Sequence, residues 1–139
     1  MSDHSDQSWP GYLHRVRYSE VDPQFIVFNS RYLEFIDAAM TEYYREIGFS
    51  PENIGTTGFD PVVKKVVIEY QDSAKMDDVI RVHVYCSRLG NSSLDLSYEI
   101  LREQDQQLLV TATLTYVNVD MKSRKSVRIP EIIRTAMTQ

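Results

Sequence analysis

The segment "RYLEFIDAAMTEYYREI", residues 31–47, constrains this chain more than any other. Apolar residues fall at 32, 33, 35, 36, 39, 40, 43, 44 and 47, which is helical spacing, and Glu34, Asp37, Thr41 and Arg45 leave only a narrow polar stripe. A surface helix buries one apolar stripe, so a helix that is apolar round most of its girth must be covered on several sides. Asn29 or Ser30 is placed to start it and Gly48 to end it. The rest of the chain must therefore supply a layer that curves around this helix.

The material for that layer follows a loop at 48–61 rich in Gly, Pro, Ser and Thr. Four strands are predicted, at 62–71, 79–88, 93–101 and 108–119. The second puts Ile80, Val82, Val84 and Cys86 on one face, the third Leu94, Leu96, Tyr98 and Ile100, and the fourth Val110, Ala112, Leu114 and Tyr116. Ahead of the helix, residues 12–21 read as a short strand with Tyr12, His14, Val16 and Tyr18 on one face, and Pro130 opens a short terminal helix. Strand, long helix and four strands in a row predict an α+β domain whose antiparallel sheet curls around the helix.

A length of 139 residues suits one domain. Residues 1–11 are expected as a flexible N-terminal tail and 12–139 as the domain. The formal charge of −5 argues against nucleic acid, whose phosphates call for clustered Lys and Arg. No apolar run nears the roughly 20 residues of a membrane span. The polar, acidic start lacks the basic and apolar parts of a secretory signal, so the expected compartment is the cytoplasm. Cys86 is alone, and His4, His14 and His83 show no metal-ligand spacing, so neither a metal nor a cofactor is implied. The expected partner is a small molecule.

Four stretches in this order carry a resemblance: "RYSEVDPQFIVFNSRYLEFIDAA", "KKVVIEYQDSAKMDDVIRVHV", "RLGNSSLDLSYEI" and "ATLTYVNVDMKSRKSVRIPEIIR". Over residues 13 to about 134 the chain resembles a hotdog-fold acyl-CoA thioesterase of the 4-hydroxybenzoyl-CoA thioesterase family. The resemblance implies hydrolysis of an acyl-CoA or related thioester to acid and thiol, and a homodimer or homotetramer with sites between subunits. It places the catalytic carboxylate at Asp22, in a "DPxxIVxxxxY" pattern kept as Asp22, Pro23, Ile26, Val27 and Tyr32. It also points to the hairpin around Gly90 and Ser93 for the thioester and pantetheine site.

The chemistry of those residues fits the task. A thioester needs a nucleophile or activated water at its carbonyl carbon and hydrogen-bond donors where oxyanion charge develops. The unpaired N–H groups of a helix start supply such donors, so a carbonyl aimed at Asn29, Ser30 or Arg31 would be polarised. Asp22 either attacks or activates water; the plainer reading is that an acid before a proline only shapes a turn or complements the helix dipole. Glu20 reads as the solvent-facing end of a strand, with a supporting role as the alternative. Cys86 lies on an apolar face and reads as an inert thiol, and His83 faces outward. Gly90 reads as a hairpin glycine with positive φ. Arg88, Lys122, Arg124, Lys125 and Arg128 are candidates for the phosphates of coenzyme A, or a solvated basic surface.

One position departs from the family pattern. Relatives commonly have glycine three residues after the catalytic acid, whereas this chain has Phe25. Phenylalanine adopts positive φ only at a cost, so the loop is expected to run differently, with the ring either narrowing the acyl pocket or packing into the core. Two other functions compete with hydrolysis: an acyl-CoA-binding hotdog domain without catalysis, and a cone-shaped α+β fold with an unrelated ligand.

Overall fold

The computed structural model describes residues 9–138. Its elements are β1 (Tyr12–Arg15), α1 (Arg31–Glu46), β2 (Pro61–Tyr70), β3 (Val79–Leu89), β4 (Ser93–Arg102), β5 (Leu108–Asn118) and α2 (Glu131–Met137). The strands form one antiparallel sheet in the order β1-β3-β4-β5-β2. The predicted α+β hotdog arrangement is therefore present, and the four long strands lie within a residue or two of their expected ends.

Period-two burial holds the sheet in register. Ile80, Val82 and Val84 of β3, Leu94, Leu96 and Ile100 of β4, and Val110 of β5 have no exposed surface, and all face the helix side. Between them the hydroxyls of Tyr98 and Tyr116 share a hydrogen bond of 2.8 Å. Desolvation raises both of these phenols, Tyr116 to about 12, so neither ionises at neutral pH.

The first strand is shorter than the sequence pattern suggests. Arg15 pairs with Val79, the first residue of β3, so the chain beyond it has no strand left to pair with. It turns instead through a 3-10 helix at Tyr18–Glu20, which leaves Tyr18 exposed rather than on the inner face. Of the expected tail, residues 1–8 lie outside the described residues. Trp9 already packs on Tyr43 of α1 with ring centroids 6.3 Å apart.

The helix is wrapped unevenly. Tyr32, Phe35, Ile36, Ala39, Tyr43 and Tyr44 are buried, and α1 lies chiefly against β3 and β1. Leu33 remains half exposed, and no residue of β2 is buried. The inner face of the β2 edge is thus uncovered by the helix, and a trough runs between them.

One polar side chain fixes the far end of that trough. Asn118, with no exposed surface, accepts the Asp60 N–H through Oδ1 at 2.6 Å and donates through Nδ2 to the carbonyls of Gly58 (3.1 Å) and Arg128 (3.3 Å). Replacing it removes the buried side chain that joins three backbone groups from separate segments. Asn118→Ala should destabilise the fold by about 2–4 kcal/mol, read from urea unfolding midpoints at constant m.

Candidate active site

The residues before α1 form a small hairpin, not an open loop. Val21 bridges Val27, the Asp22 N–H donates to Ile26 O at 2.9 Å, and the Phe25 N–H donates to Asp22 O at 2.8 Å. The hairpin is stitched to the segment between β2 and β3: Val27 N–H donates to Ala74 O, and Met76 N–H to Phe25 O. Asp22 is half buried there, and its Oδ1 accepts the Gln24 N–H at 2.8 Å. That is the only hydrogen bond to this carboxylate among the described residues, so the second oxygen is free to attack or to take a proton.

Phe25 closes this turn in the left-handed region, with φ of 62°. The expectation of a different loop course is thereby corrected, because phenylalanine takes the conformation that suits glycine. The core-packing alternative is corrected as well, since the ring is 55% exposed. The hydrogen bonds on either side, from Phe25 N–H and to Phe25 O, hold the strained backbone in place.

The helix start has the donors that the chemistry requires. Arg31 N–H is used internally, donating to Phe28 O at 2.9 Å, which removes it from the expected set. The N–H groups of Asn29 and Ser30 make no hydrogen bond among the described residues, and both residues are exposed. Ser30 occupies the N-cap position without a side-chain capping bond. Phe28 N–H donates to Glu20 O at 3.1 Å, so the turn that leads into Asp22 lies beside the residues that lead into the helix.

Glu20 itself does not end a strand in solvent. Its carboxylate receives the Arg17 N–H at 2.8 Å and meets Nε2 of His14 at 2.8 Å, with both side chains largely shielded. His14 in turn sits 4.7 Å from the Phe35 ring of α1. This pair ties β1 to the turn that carries Asp22, a supporting role. On a continuous strand the six-residue spacing would put His14 and Glu20 on one face but about 20 Å apart, so the pair forms only because the chain turns at Tyr18–Glu20, which periodicity does not signal.

Gly90 and Ser93 lie elsewhere. They close the β3–β4 hairpin, where Gly90 N–H donates to Ser93 O at 2.7 Å. The Asp22 turn packs at the opposite end of β3, about 33 Å away along an eleven-residue strand. One chain therefore does not bring Gly90 and Ser93 to Asp22. Gly90 also lacks the expected positive φ; a Cβ there would come within 2.8 Å of Arg88 Nη1 and 3.0 Å of Ser93 O, so close approach is what requires glycine.

The basic candidates share that distant end. Arg88 Nε donates to Asp95 Oδ2 at 3.1 Å, and this hydrogen bond holds the Asp95 carboxyl below its ordinary range. Arg128 donates to Asn91 Oδ1 at 2.8 Å. The Cys86 thiol is raised by desolvation, so it stays protonated at neutral pH and is no nucleophile. Among the described residues, no three His, Cys, Asp or Glu side chains gather to hold a metal ion.

Residues 16–137 match the family described as the thioesterase-like superfamily. The chain belongs to that superfamily. As a member of the thioesterase-like superfamily it is an enzyme that hydrolyses thioesters, and the readings as a non-catalytic binding domain or an unrelated cone-shaped fold give way. It is 29% identical over 123 residues to the acyl-CoA thioesterase YbgC of Haemophilus influenzae, covering 88% of this chain and 89% of that one. It is 27% identical over 125 residues to the long-chain acyl-CoA thioesterase FadM of Escherichia coli, covering 90% and 94%. Its fold is similar to that of Slr0204, a 1,4-dihydroxy-2-naphthoyl-CoA thioesterase from Synechocystis, with a TM-score of 0.84 at 22% identity over 92% and 94% of the two chains.

The exposed Phe25 ring gives a stability test. Truncation removes no core contact, so Phe25→Ala should change unfolding free energy by less than about 1 kcal/mol, against about 3–5 kcal/mol for a core phenylalanine. Thermal melts of the wild type and this variant measure the difference.

Proposed function

We propose that this thioesterase acts on acyl-CoA thioesters with Asp22 as the catalytic carboxylate and the Asn29 and Ser30 N–H groups as oxyanion donors. The observation that supports this is the pairing, across one short hairpin, of a carboxylate with a free oxygen and a helix start with two unused amides. The thioester carbonyl lies between them. Asp22 attacks the carbonyl carbon or removes a proton from an attacking water, and negative charge collects on the oxygen facing the helix start. Collapse expels the CoA thiolate, whose ordinary pKa of about 8.5 makes a strong general acid unnecessary; on the direct-attack route water then hydrolyses the mixed anhydride left on Asp22, releasing the acid. The cytoplasm belongs to this reading, since a lone thiol suits a reducing compartment.

The reading includes a homodimer. β2 is an exposed edge strand of ten residues, with Val63 and Val67 about half exposed, and an unpaired edge of that length is a template for pairing. Two-fold antiparallel pairing of β2 with a second copy sets the Pro61 end of one against the Tyr70 end of the other. Tyr70 Oη reaches Asn29 O at 3.4 Å, so the Tyr70 end is the helix-start end. Pro61 pairs with Asn118, whose N–H donates to Ser92 O, so the Pro61 end carries the Gly90 and Ser93 hairpin. A dimer therefore brings the hairpin of one copy to Asp22 of the other, and supports the use of Phe25, Gly90 and Ser93 around the substrate.

Two measurements test this. In a screen of acyl-CoA thioesters with free-thiol detection, Asp22→Asn should keep the fold and lose about 100-fold or more in kcat; wild-type rates would remove Asp22 from the mechanism. Light scattering should give a dimer or larger assembly at micromolar concentration, and Val67→Asp should yield monomers with most activity lost. A wild-type monomer that turns over substrate would defeat the shared site.

A further inference from the structure

The trough between α1 and β2 has a shape that bears on which acyl group it accepts. In its upper half, Leu33 and Asp37 of the helix face Val63 and Val66 of β2 over a cavity of about 470 Å³, with Leu114 and Tyr116 beneath. One helical turn further, a second cavity of about 410 Å³ opens between Met40 and Tyr44 of α1, Ile54 and Phe59 of the loop, Val62 of β2 and Met121. Their linings advance along α1 from 33–37 to 40–44 and back along β2 from 66 to 62, so the second cavity follows the first along the trough.

The second cavity ends in a fixed wall. The Phe59 ring meets Tyr44 edge-on at 5.9 Å, and the backbone on either side of Phe59 is held by Asn118 through Gly58 O and Asp60 N–H. A rigid, mainly apolar end wall sets a length limit for whatever lies in the trough. From Asn29 to Met40–Tyr44 the helix advances about 16–22 Å at 1.5 Å per residue. An extended chain gains roughly 1.2 Å per bond, so the span corresponds to an acyl chain of about 14–18 carbons. Glu34 and Asp37 lie on the rim of the upper cavity, which disfavours a second carboxylate on the acyl group.

We propose that the cavity beside Met121 binds the distal end of a straight, unsubstituted fatty acyl chain, and that the enzyme is selective for long-chain acyl-CoA. This rests on the reading that the thioester sits at Asp22 and the helix start. A short or single-ring aromatic acyl group stops in the upper cavity and gains nothing from the lower one. Met121 reaches the lower cavity from the segment between β5 and α2 and is 53% exposed, so it can be enlarged without repacking the core.

The test compares hexanoyl-, benzoyl-, myristoyl- and palmitoyl-CoA, below micellar concentration, with the wild type, Met121→Trp and Met121→Ala. The wild type should show its highest kcat/KM with the two long chains. Met121→Trp should lower kcat/KM for palmitoyl-CoA by about tenfold or more while leaving hexanoyl-CoA unchanged, as expected for a filled hydrophobic pocket. Met121→Ala, which preserves the cavity, should keep the long-chain preference. An unchanged ratio in a folded Met121→Trp overturns the assignment, as does a parallel loss on all substrates with an altered mass by light scattering, which would make the cavity a subunit contact. A wild type that hydrolyses only hexanoyl- or benzoyl-CoA overturns the distal site and leaves the acyl-CoA reading standing. Failure on every CoA thioester defeats that underlying reading instead.

Discussion

Inside the core, the hydroxyl of Tyr32 accepts the Ala74 N–H at 2.9 Å, and Ala74 O takes the N–H of Val27. Ala74 has no exposed surface and Tyr32 almost none, so both bonds form away from competing water, where an unmade bond is costly. This exchange joins three elements that are far apart in sequence: the first turn of α1, the Asp22 hairpin and the connection between β2 and β3. Without it the Asp22 hairpin would keep its internal bonds and the bond from Met76 N–H to Phe25 O, but would lose its buried tie to the first turn of α1. With it, Asp22 and the free amides of Asn29 and Ser30 become parts of one rigid corner of the fold.

That corner also explains how a phenylalanine is tolerated at φ of 62°. The strain at Phe25 costs about 1–2 kcal/mol, and the backbone bonds from Phe25 N–H to Asp22 O and from Met76 N–H to Phe25 O clamp both sides of it. The ring then projects outward beside the Asp22 turn instead of joining the core. Strain is stored in the turn that carries Asp22, and the surrounding hydrogen bonds keep it there.

The uneven wrapping of α1 is the second constraint on function. The helix sits over β1 and β3, and the β2 side of the sheet extends beyond it. The resulting trough is apolar because β2 was built from Val62, Val63, Val66 and Val67, residues with the composition of a covered strand. An edge with that composition, left bare in one chain, is where substrate and second copy are expected to meet.

Much of this was legible in the sequence, because the periods of 3.6 and 2 act through nearest neighbours along the chain. The girth of apolar residues at 31–47 required a curved sheet, the alternation at 79–119 supplied it, and the family pattern around Asp22 pointed to the carboxylate on which the proposed chemistry rests. Other features depended on contacts that no local period encodes. The His14–Glu20 pair, the staple at Asn118 and the end of β1 at Arg15 each depend on which distant backbone lies alongside. Likewise the sequence determined that Gly90 and Ser93 form a hairpin, but only the antiparallel course of β3 put that hairpin a full strand length from Asp22. Local propensity fixes what each segment is; the pairing partners, chosen by burial across the whole fold, decide what each segment can reach.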